Sequence, residues 1–319
     1  MLTLISIGST YDRVELHQLR YFVAVAEERH FTRAAARLGV AQPSVSSQVR
    51  KLEAELGGPL FDRAPAGVTL TQAGEVLLPL ARRVLDDLDD ALSQVREVGA
   101  LGRGRLAVGA TPSLSTGLLP AALARFHRAH PGVAVSLFEE GSGGLVERLE
   151  SGQVELALVI LPLHQSRLRT RELASEELVL VTAEDHPLAG RSGVSVDDLR
   201  NVALVMFREG YDLRTATFAA CNRAGFDPVL VTEGGEMDGV LAMVGAGMGA
   251  AVVPSIVAAT RPELRTIRFR PANLRRTIGL ARREDRAPSR AATAFEAEVE
   301  SLVRGGAWPG VAPAGLVVL

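Results

Sequence analysis

Cysteine is almost absent from this sequence. Cys221 is the one cysteine in 319 residues, which excludes a disulfide within the chain and any metal site built from several thiolates. A lone cysteine is most often a small buried apolar residue rather than a nucleophile. The six histidines are scattered over separate predicted elements, without carboxylates at the spacing of a metal site. We therefore expect neither a metal centre nor a bound cofactor.

Long apolar runs are missing as well. Although 47% of the residues are hydrophobic, no run reaches the roughly 18 residues that a membrane-spanning helix needs. The segment 1–10 is apolar but has no basic residues before it, so it does not resemble a signal peptide. We expect a cytoplasmic protein with no membrane partner, long enough for two or three globular units.

The sequence also lacks an excess of charge of either sign. The formal net charge is −2, and Lys51 is the single lysine among 35 basic residues. In the region 14–75 the basic and acidic side chains are equal in number, so the total charge gives no argument for nucleic-acid binding. Only the positions of the charges can indicate nucleic-acid binding.

The signature motifs of common enzyme classes are absent too. The chain has no G-x-S-x-G nucleophile elbow, no P-loop and no H-E-x-x-H zinc motif. The glycine-rich segment 245–249 follows a predicted helix and precedes a predicted strand, which is the wrong order for a dinucleotide-binding loop. An enzyme on an α/β scaffold stays open as an alternative, but we expect no catalytic residues.

The most informative segment runs from Phe31 to Leu56. Thr32 suits a helix N-cap, and the alanines at 34–36 make the helix after it slender. Gly39 suits the left-handed end of that helix, and Pro43 suits the first turn of the next one. An apolar stripe follows the second helix at i, i+4, i+7 and i+11, made of Val45, Val49, Leu52 and Leu56.

The opposite face of the second helix is small, polar and cationic. It carries Ser44, Ser47 and Lys51, whose hydroxyl and ammonium groups can contact base edges and phosphates. A slender first helix lets the second project into a major groove about 12 Å wide. An ordinary helical hairpin with a solvated face would show the same pattern, so this segment alone leaves both interpretations open.

Longer motifs surround this segment. They are LHQLRYF at 16–22, FTRAA at 31–35, AQPSVS at 41–46, LE at 52–53, LG at 56–57, PLF at 59–61, Arg63, and LTQAG at 70–74. In these motifs the chain from Val14 to Gly74 closely resembles the winged helix-turn-helix of LysR-type transcriptional regulators. The resemblance continues more loosely to about residue 300, as a two-lobed effector-binding domain of periplasmic-binding-protein type.

The resemblance implies an α/β protein with a definite domain order. We predict a winged helix-turn-helix at 14–74, a dimerising linker helix and hinge at 75–102, and a two-lobed α/β effector-binding domain at 103–304. Lobe I of that domain would hold about 103–165 and 272–303, and lobe II about 168–268. Residues 1–13 precede the resemblance, and we expect a disordered extension or a misplaced start codon there. Residues 305–319 are rich in Gly, Pro and Ala, and we expect a loose tail.

The resemblance also indicates which residues contact DNA. The predicted DNA-binding residues are Thr32, Arg33, Gln42, Pro43, Ser44, Ser46, Ser47, Lys51 and Arg63. Thr32 and Arg33 would lie on the phosphate backbone. Two departures from the family pattern leave the base contacts open: Ser47 stands where relatives often have Arg, Gln or His, and Ala66 stands at a wing tip that is often basic.

A heptad pattern follows the wing. Thr71 is expected to cap a long helix in which spacings of four and three alternate, at Leu77, Ala81, Val84, Leu88, Ala91 and Val95. Pro79 lies within the first turns, so we expect the pattern to survive its kink. The seam predicts that two subunits pair, as a homodimer or within a homotetramer. Packing of this helix on its own domain is the alternative.

Beyond residue 103, strands and helices alternate, which predicts parallel sheets with crossover helices. Ligands in such sheets bind beyond the carboxyl ends of strands, where Thr111–Thr116 offers four hydroxyls suited to a carboxylate or phosphate. Plain helix capping is the alternative there. Arg208 could clamp an anion or pair with Glu209. The predicted effector-binding residues are Thr111, Pro112, Ser113, Ser115, Leu161, Phe207, Arg208 and Glu236.

Together these patterns favour a DNA-binding transcriptional regulator over an enzyme. Its expected partners are double-stranded DNA, further copies of itself and a small, anionic organic effector, and RNA polymerase is compatible with the family. A small-molecule binding protein of transport type is a third alternative, which the lack of a secretion signal disfavours.

Overall fold

The computed structural model describes residues 14–64, 67–99, 104–163, 167–306 and 315–319. The chain divides into two compact units, Met1–Val95 and Arg96–Leu319. The predicted extension at 1–13 lies outside the described residues. Among the described residues, no helix is both long and apolar enough to cross a membrane.

The N-terminal unit consists of three short helices, a two-stranded wing and the start of a long helix. Its elements are α1 (Leu16–Glu28), α2 (Phe31–Leu38), α3 (Gln42–Leu56), β1 (Phe61–Ala64), β2 (Gly67–Leu70) and α4 (Gln72–Gly99). The predicted order of helices and wing is therefore confirmed. β1 and β2 pair antiparallel, with Phe61 opposite Leu70.

The core of this unit lies among α1, α2 and α3. Phe22, Val45, Val49 and Leu52 are fully buried, and the small Ala34 allows α2 to approach closely. The predicted stripe on α3 is thus confirmed for three of its four residues. The fourth, Leu56, is 48% exposed, because α3 ends there at a left-handed Gly57.

Helix ends in this unit follow ordinary capping chemistry, with one correction. Gly39 ends α2 with φ of 67°, and the Thr71 hydroxyl caps α4 by accepting a hydrogen bond of 3.1 Å from the Gly74 backbone. The prediction that Thr32 caps α2 is wrong. His30 is the cap, and its Nδ1 accepts a hydrogen bond of 3.1 Å from the backbone N–H of Thr32, which already lies inside the helix.

The first turns of α4 pack into the core of their own domain. Ala81 is 1% exposed and belongs to the buried cluster of α1–α3, and Leu77 packs against the same cluster. For Ala81 the predicted role in pairing two subunits is therefore wrong, because this side chain is already buried within the chain. Leu77 is half-buried, and its role in pairing stays a prediction. Val84 and Ala91 are exposed and Leu88 is half-buried, whereas the side chain of Val95 lies outside the described residues.

The C-terminal unit alternates strands and helices as predicted. Its elements are β3 (Gly104–Ala110), α5 (Pro112–Thr116), α6 (Leu119–Ala129), β4 (Val133–Glu139), α7 (Ser142–Ser151), β5 (Leu156–Leu161), β6 (Leu168–Thr182), a 3-10 turn (Asp197–Asn201), β7 (Leu204–Phe207), α8 (Asp212–Arg223), β8 (Leu230–Gly235), α9 (Met237–Gly245), β9 (Ala251–Pro254), α10 (Ser255–Ala258), β10 (Arg265–Arg268), β11 (Arg275–Arg283), α11 (Arg290–Arg304) and β12 (Val317–Val318).

Two lobes share the strand β6. In lobe I, β3 pairs in parallel with β4 and β5, while β11 pairs antiparallel with both β5 and the first part of β6. In lobe II, β9 and β10 pair with the last part of β6, and β7 pairs with β8. The register of β11 on β6 runs from Leu168 to Glu177. The predicted start of lobe II at 168 is therefore wrong, and the change of lobe lies near Glu177.

The end of the chain is not a loose tail. β12 pairs antiparallel with β6, with Val317 opposite Ser175, and the Leu319 N–H donates a hydrogen bond of 3.1 Å to the Leu173 carbonyl. The prediction of a loose tail is thus wrong for 315–319, whose backbone completes a sheet edge. Most of the remaining predicted tail, 307–314, lies outside the described residues.

Candidate DNA-binding surface and effector cleft

The outer face of α3 presents a row of polar side chains. The exposed residues on it are Gln42, Pro43, Ser44, Ser47 and Lys51, and Thr32 and Arg33 are exposed near the start of α2. The opposite face of α3 is buried, so these residues are held in fixed positions on a packed helix. The side chain of Arg63, on the wing, lies outside the described residues.

Ser46 was predicted to contact DNA, and this is wrong. It is 7% exposed, and its Oγ accepts a hydrogen bond of 3.1 Å from Nη2 of Arg50. The buried side of α3 is wider than the stripe Val45, Val49 and Leu52 suggests. Ser46 instead positions Arg50, an exposed cation that the predicted DNA-binding residues do not include. The i, i+4 spacing of the two residues was the available signal.

Lys51 is not a free cation in the unbound protein. Its Nζ lies 3.2 Å from Oε1 of Glu15 and 4.0 Å from Oε1 of Glu55, and both Lys51 and Glu15 are about half exposed. Exposed ion pairs of this kind contribute little free energy. Lys51 can therefore exchange Glu15 for a phosphate at small cost.

Other cations of this unit are committed to its structure. Arg37 donates to Glu27 at 2.7 Å and Arg82 donates to the same carboxylate at 2.9 Å, which ties α2 and α4 to the end of α1. Burial tends to raise the pKa of Glu27, but the two arginine hydrogen bonds outweigh it and lower that pKa below its usual value. These two guanidinium charges are compensated internally, which leaves the α3 face as the better DNA-binding surface.

The effector cleft begins where β3 ends. Thr111 and Ser113 are 2% and 3% exposed, and Ser113 Oγ accepts a hydrogen bond of 2.7 Å from Nη1 of Arg276 on β11. Arg276 also donates from Nε to Oε2 of Glu176 at 2.9 Å. The side chains of Arg276 and Glu176 are 5% and 0% exposed. A guanidinium therefore lies buried beside the predicted hydroxyl cluster.

Arg276 is not among the effector-binding residues predicted from the sequence, although the sequence contains a signal for it. It lies inside β11, whose following residues are apolar and mostly buried, and a charged residue within a buried strand is rarely placed there without a partner. Its Nη2 lies 2.8 Å from Glu176 but makes no aligned hydrogen bond among the described residues. This nitrogen therefore faces Glu176 as an ion pair, and the hydrogen bonds of the group go to Glu176 and Ser113.

A second polar contact joins the two lobes. Oγ of Ser142, at the start of α7, donates to Oδ2 of Asp212 at 2.8 Å and accepts from the Ile160 N–H at 3.1 Å. Burial is the main influence on Asp212 and raises the pKa of its carboxyl group, against the opposing effect of the Ser142 hydrogen bonds. The lobes thus meet through a partly buried acid whose raised pKa disfavours the ionised form.

Arg208 is bound within lobe II instead of standing open to an anion. Its Nε lies 2.5 Å from Oε1 of Glu236, whose other oxygen accepts a hydrogen bond from the Tyr211 hydroxyl. The guanidinium also lies over the Tyr211 ring, 4.8 Å from its centroid. Hydrogen bonding by Tyr211 and Arg208 lowers the pKa of Glu236. The predicted Arg208–Glu209 pairing of side chains is not found, because Arg208 contacts only the Glu209 carbonyl among the described atoms of that residue.

The space between these groups is small. The cavity is about 10 Å³, enough for about one water molecule, and it is lined by Thr111, Pro112, Ser113, Gly141, Tyr211, Asp212, Leu213, Met237 and Arg276.

Phe207 does not line it; this side chain is 1% exposed and stacks behind Tyr211. Leu161 packs with a lobe I cluster, and Ser115 Oγ is buried without a partner among the described residues. The cleft is therefore closed.

The fold and the two sites define a ligand-responsive DNA-binding protein. Residues 16–75 match the model of the bacterial regulatory helix-turn-helix proteins of the lysR family, and residues 99–303 match that of the LysR substrate binding domain. The chain belongs to the LysR family of bacterial transcriptional regulators. The matched families and the relatives are transcriptional regulators, not enzymes.

Similar proteins are regulators of this family. The HTH-type transcriptional regulator BudR of Raoultella terrigena is 34% identical over 84% of this chain and 94% of its own length. A full-length OxyR mutant from Pseudomonas aeruginosa has a TM-score of 0.70 at 26% identity and covers 96% of this chain and 99% of that one. Full-length CbnR complexed with its target DNA has a TM-score of 0.69 at 28% identity, covering 90% and 99%.

Proposed function

We propose that this regulator reads promoter DNA with the exposed face of α3. The residues that would contact DNA are Gln42, Pro43, Ser44, Ser47 and Lys51, with Thr32 and Arg33 at the phosphates. Arg50, which the sequence did not predict, joins them because it is exposed beside this face. The main support for the proposal is that this face is polar and exposed, while Val45, Val49 and Leu52 on the opposite face of α3 are fully buried. The DNA complex of the similar CbnR supports it. With DNA as its target, the protein would act in the cytoplasm.

We infer that two or four copies act together. On α4, Val76, Leu80 and Val84 form an exposed apolar row at i, i+4 and i+8, and Leu92 is exposed further along the helix. Exposed apolar rows of this kind mark protein interfaces. Pairing through them would place two recognition helices on half-sites about 34–36 Å apart, or a multiple of that spacing.

A second surface would join pairs into a tetramer. β4 is an edge of the lobe I sheet and β8 is an edge in lobe II. Val135 and Leu137 are exposed on β4, and Val231 on β8 and Val229 just before it are exposed as well. Open apolar edges are normally covered in a stable protein. Contact with RNA polymerase would be a further role of the assembled protein.

The effector would be a small organic anion recognised by Arg276. This guanidinium is buried, has one donor without an aligned acceptor, and is surrounded by Thr111 and Ser113. An entering carboxylate or phosphate would replace the Ser113 hydroxyl and form a charge-assisted bond, which is stronger than the neutral one. Because the described cavity holds about one water, the lobes must separate for entry. No other cofactor is needed for this role.

Binding to the DNA upstream of the coding region tests the proposal. Fluorescence anisotropy would compare that duplex with a scrambled duplex of equal length and composition, using the full chain at fixed salt. Specific binding should be about a thousand-fold or more tighter than binding to the scrambled duplex. Equal affinities for the two duplexes, together with monomeric protein in sedimentation velocity, would contradict both parts of the proposal.

A further inference from the structure

The strands β6 and β11 carry three arginines on one face of lobe I. Arg169 lies directly opposite Arg282 in the antiparallel register, and Arg171 lies opposite Leu280. Since side chains two residues apart on a strand share a face, these four side chains point to the same side of the sheet. None of them lines the effector cavity.

This face borders a second and larger cavity. Its volume is about 350 Å³, within the range of about 300–1,000 Å³ found for small-molecule sites. The sheet contributes Arg169, Thr170, Arg171, Leu280 and Arg282, and α11 contributes Thr293, Glu296, Ala297 and Glu300. The lining thus combines three guanidinium groups, two carboxylates and hydroxyl groups with the apolar surfaces of a leucine and an alanine.

Only one of the three arginines is balanced by carboxylates of the described residues. Arg171 pairs with Glu296 at 3.3 Å and also with Glu300 on α11. Nη1 of Arg282 donates to two main-chain carbonyls, each at 3.3 Å, which fixes the side chain but gives its charge no carboxylate partner among the described residues. Arg169 is exposed and has no ion-pair or hydrogen-bond partner in the described part of the chain.

Like charges directly opposite each other on neighbouring strands destabilise a sheet. An oxyanion between Arg169 and Arg282 would remove that repulsion and could accept paired hydrogen bonds from each guanidinium. Thr293 could donate to a further oxygen, and Leu280 with Ala297 would contact an organic body. We propose that this cavity is a second ligand site, separate from the effector cleft, which binds a small organic phosphate or dicarboxylate between Arg169 and Arg282.

Scanning calorimetry of the full chain tests the site, with inorganic phosphate and malonate as probes. Ionic strength is held constant with potassium chloride, so that general salt effects do not contribute. At ten times the dissociation constant, the bound anion should raise the Tm of the C-terminal unit by about 3–5 °C. A saturable shift with phosphate alone identifies the phosphate class, and one with malonate identifies the dicarboxylate class.

Substitutions in the two cavities test where the anion binds. The double change Arg169→Gln and Arg282→Gln should abolish the saturable shift, whereas Arg223→Gln, which removes an exposed arginine of α8, should preserve it. Ser113→Ala should also preserve it, because that residue lies in the effector cleft. A shift that survives in the double variant, or is lost in Ser113→Ala, would overturn the proposal, as would the absence of any saturable shift in the wild type.

A second readout needs no ligand. Without added anion, Arg169→Gln removes the repulsion with Arg282 and should raise Tm by about 1–2 °C. In saturating anion the order should reverse, because the wild type alone keeps both ligand contacts. An Arg169→Gln variant that is less stable than the wild type without anion would contradict the proposed repulsion.

Discussion

Arg276 donates a hydrogen bond of 2.7 Å to Oγ of Ser113 across the floor of the effector cleft. Its other partner is the fully buried Glu176, and a buried ion pair is costly to break because one charge is left without a partner. Ser113 is the neutral partner and is therefore the one that an anion can replace. An anion that enters the cleft should therefore replace Ser113 and leave the Arg276–Glu176 ion pair intact.

The first prediction concerns the serines of α5. Ser113→Ala removes the acceptor of a buried guanidinium, so the free energy of unfolding in urea should fall by about 1–3 kcal/mol. Ser115→Ala is the matched control, since Ser115 Oγ is buried with no described partner and its loss should cost little. If the two variants lower the free energy of unfolding equally, the hydrogen bond from Arg276 to Ser113 does not contribute to stability.

The second prediction concerns the pH dependence of stability. Burial raises the pKa of Asp212, and an acid with a raised folded pKa contributes stability at low pH that is lost as the pH rises through that value. Asp212→Asn cannot ionise and can still accept from Ser142. The stability of the variant relative to the wild type should therefore increase above about pH 3.9 and level off once the raised pKa is passed. Urea unfolding across this range measures it; a pH-independent difference would contradict it.

The third prediction concerns phosphate contact by Lys51. Lys51→Ala should reduce the slope of log affinity against log salt by about 0.9, with a similar loss for every DNA sequence. Lys51→Arg is the control and should keep the slope. If Lys51→Ala leaves the slope unchanged, the ammonium group does not reach a phosphate and its pairing with Glu15 is its whole role.

The fourth prediction separates two neighbouring serines of α3. Ser47→Ala changes an exposed residue, so DNA affinity should fall while Tm stays within about 1 °C. Ser46→Ala removes the acceptor that positions Arg50, so it should lower DNA affinity through Arg50 without altering base preference. Competition with single-base operator variants distinguishes them, and a changed base preference in Ser46→Ala would disagree with its buried position.

The fifth prediction concerns the exposed row on α4. Val84→Glu places a charge on a side chain that is 45% exposed, so the protomer should fold but no longer pair. Leu16→Glu is the matched control, at 42% exposure on α1, and should leave association unchanged. Sedimentation velocity measures the outcome; an unaltered oligomer in Val84→Glu would place the interface elsewhere.

The N-terminal unit was largely predictable because its signals are local. Gly39, Gly57 and Thr71 mark helix ends through their own backbone or side-chain preferences. The error at Ser46 came from a helical wheel, which ranks faces by the apolar residues of one helix. In the structure α1 and α2 both pack against α3, and together they bury a broader arc of it.

The C-terminal unit was less predictable because its decisive contacts join distant segments. The hydrogen bond from Arg276 to Ser113 and the pairing of β12 with β6 depend on strand register, which no local pattern specifies. Of the hydroxyl cluster at Thr111–Thr116, Thr111 and Ser113 line the small cavity, and the cation beside them, Arg276, comes from a strand near the other end of the chain. In the sequence Arg208 suited an anion clamp because its partners were not evident. Tyr211 is separated from it by a turn, and Glu236 by a whole helix–strand unit.

The continuity of β6 restricts how the lobes can move. An extended backbone cannot lengthen, and this one passes from the lobe I sheet to the lobe II sheet near Glu177 without interruption. Sliding of one lobe past the other would break ladders on both sides of that point, whereas a bend there spares them. Opening of the cleft should therefore occur as a hinge rotation about the point near Glu177, with the ladders of each lobe kept intact.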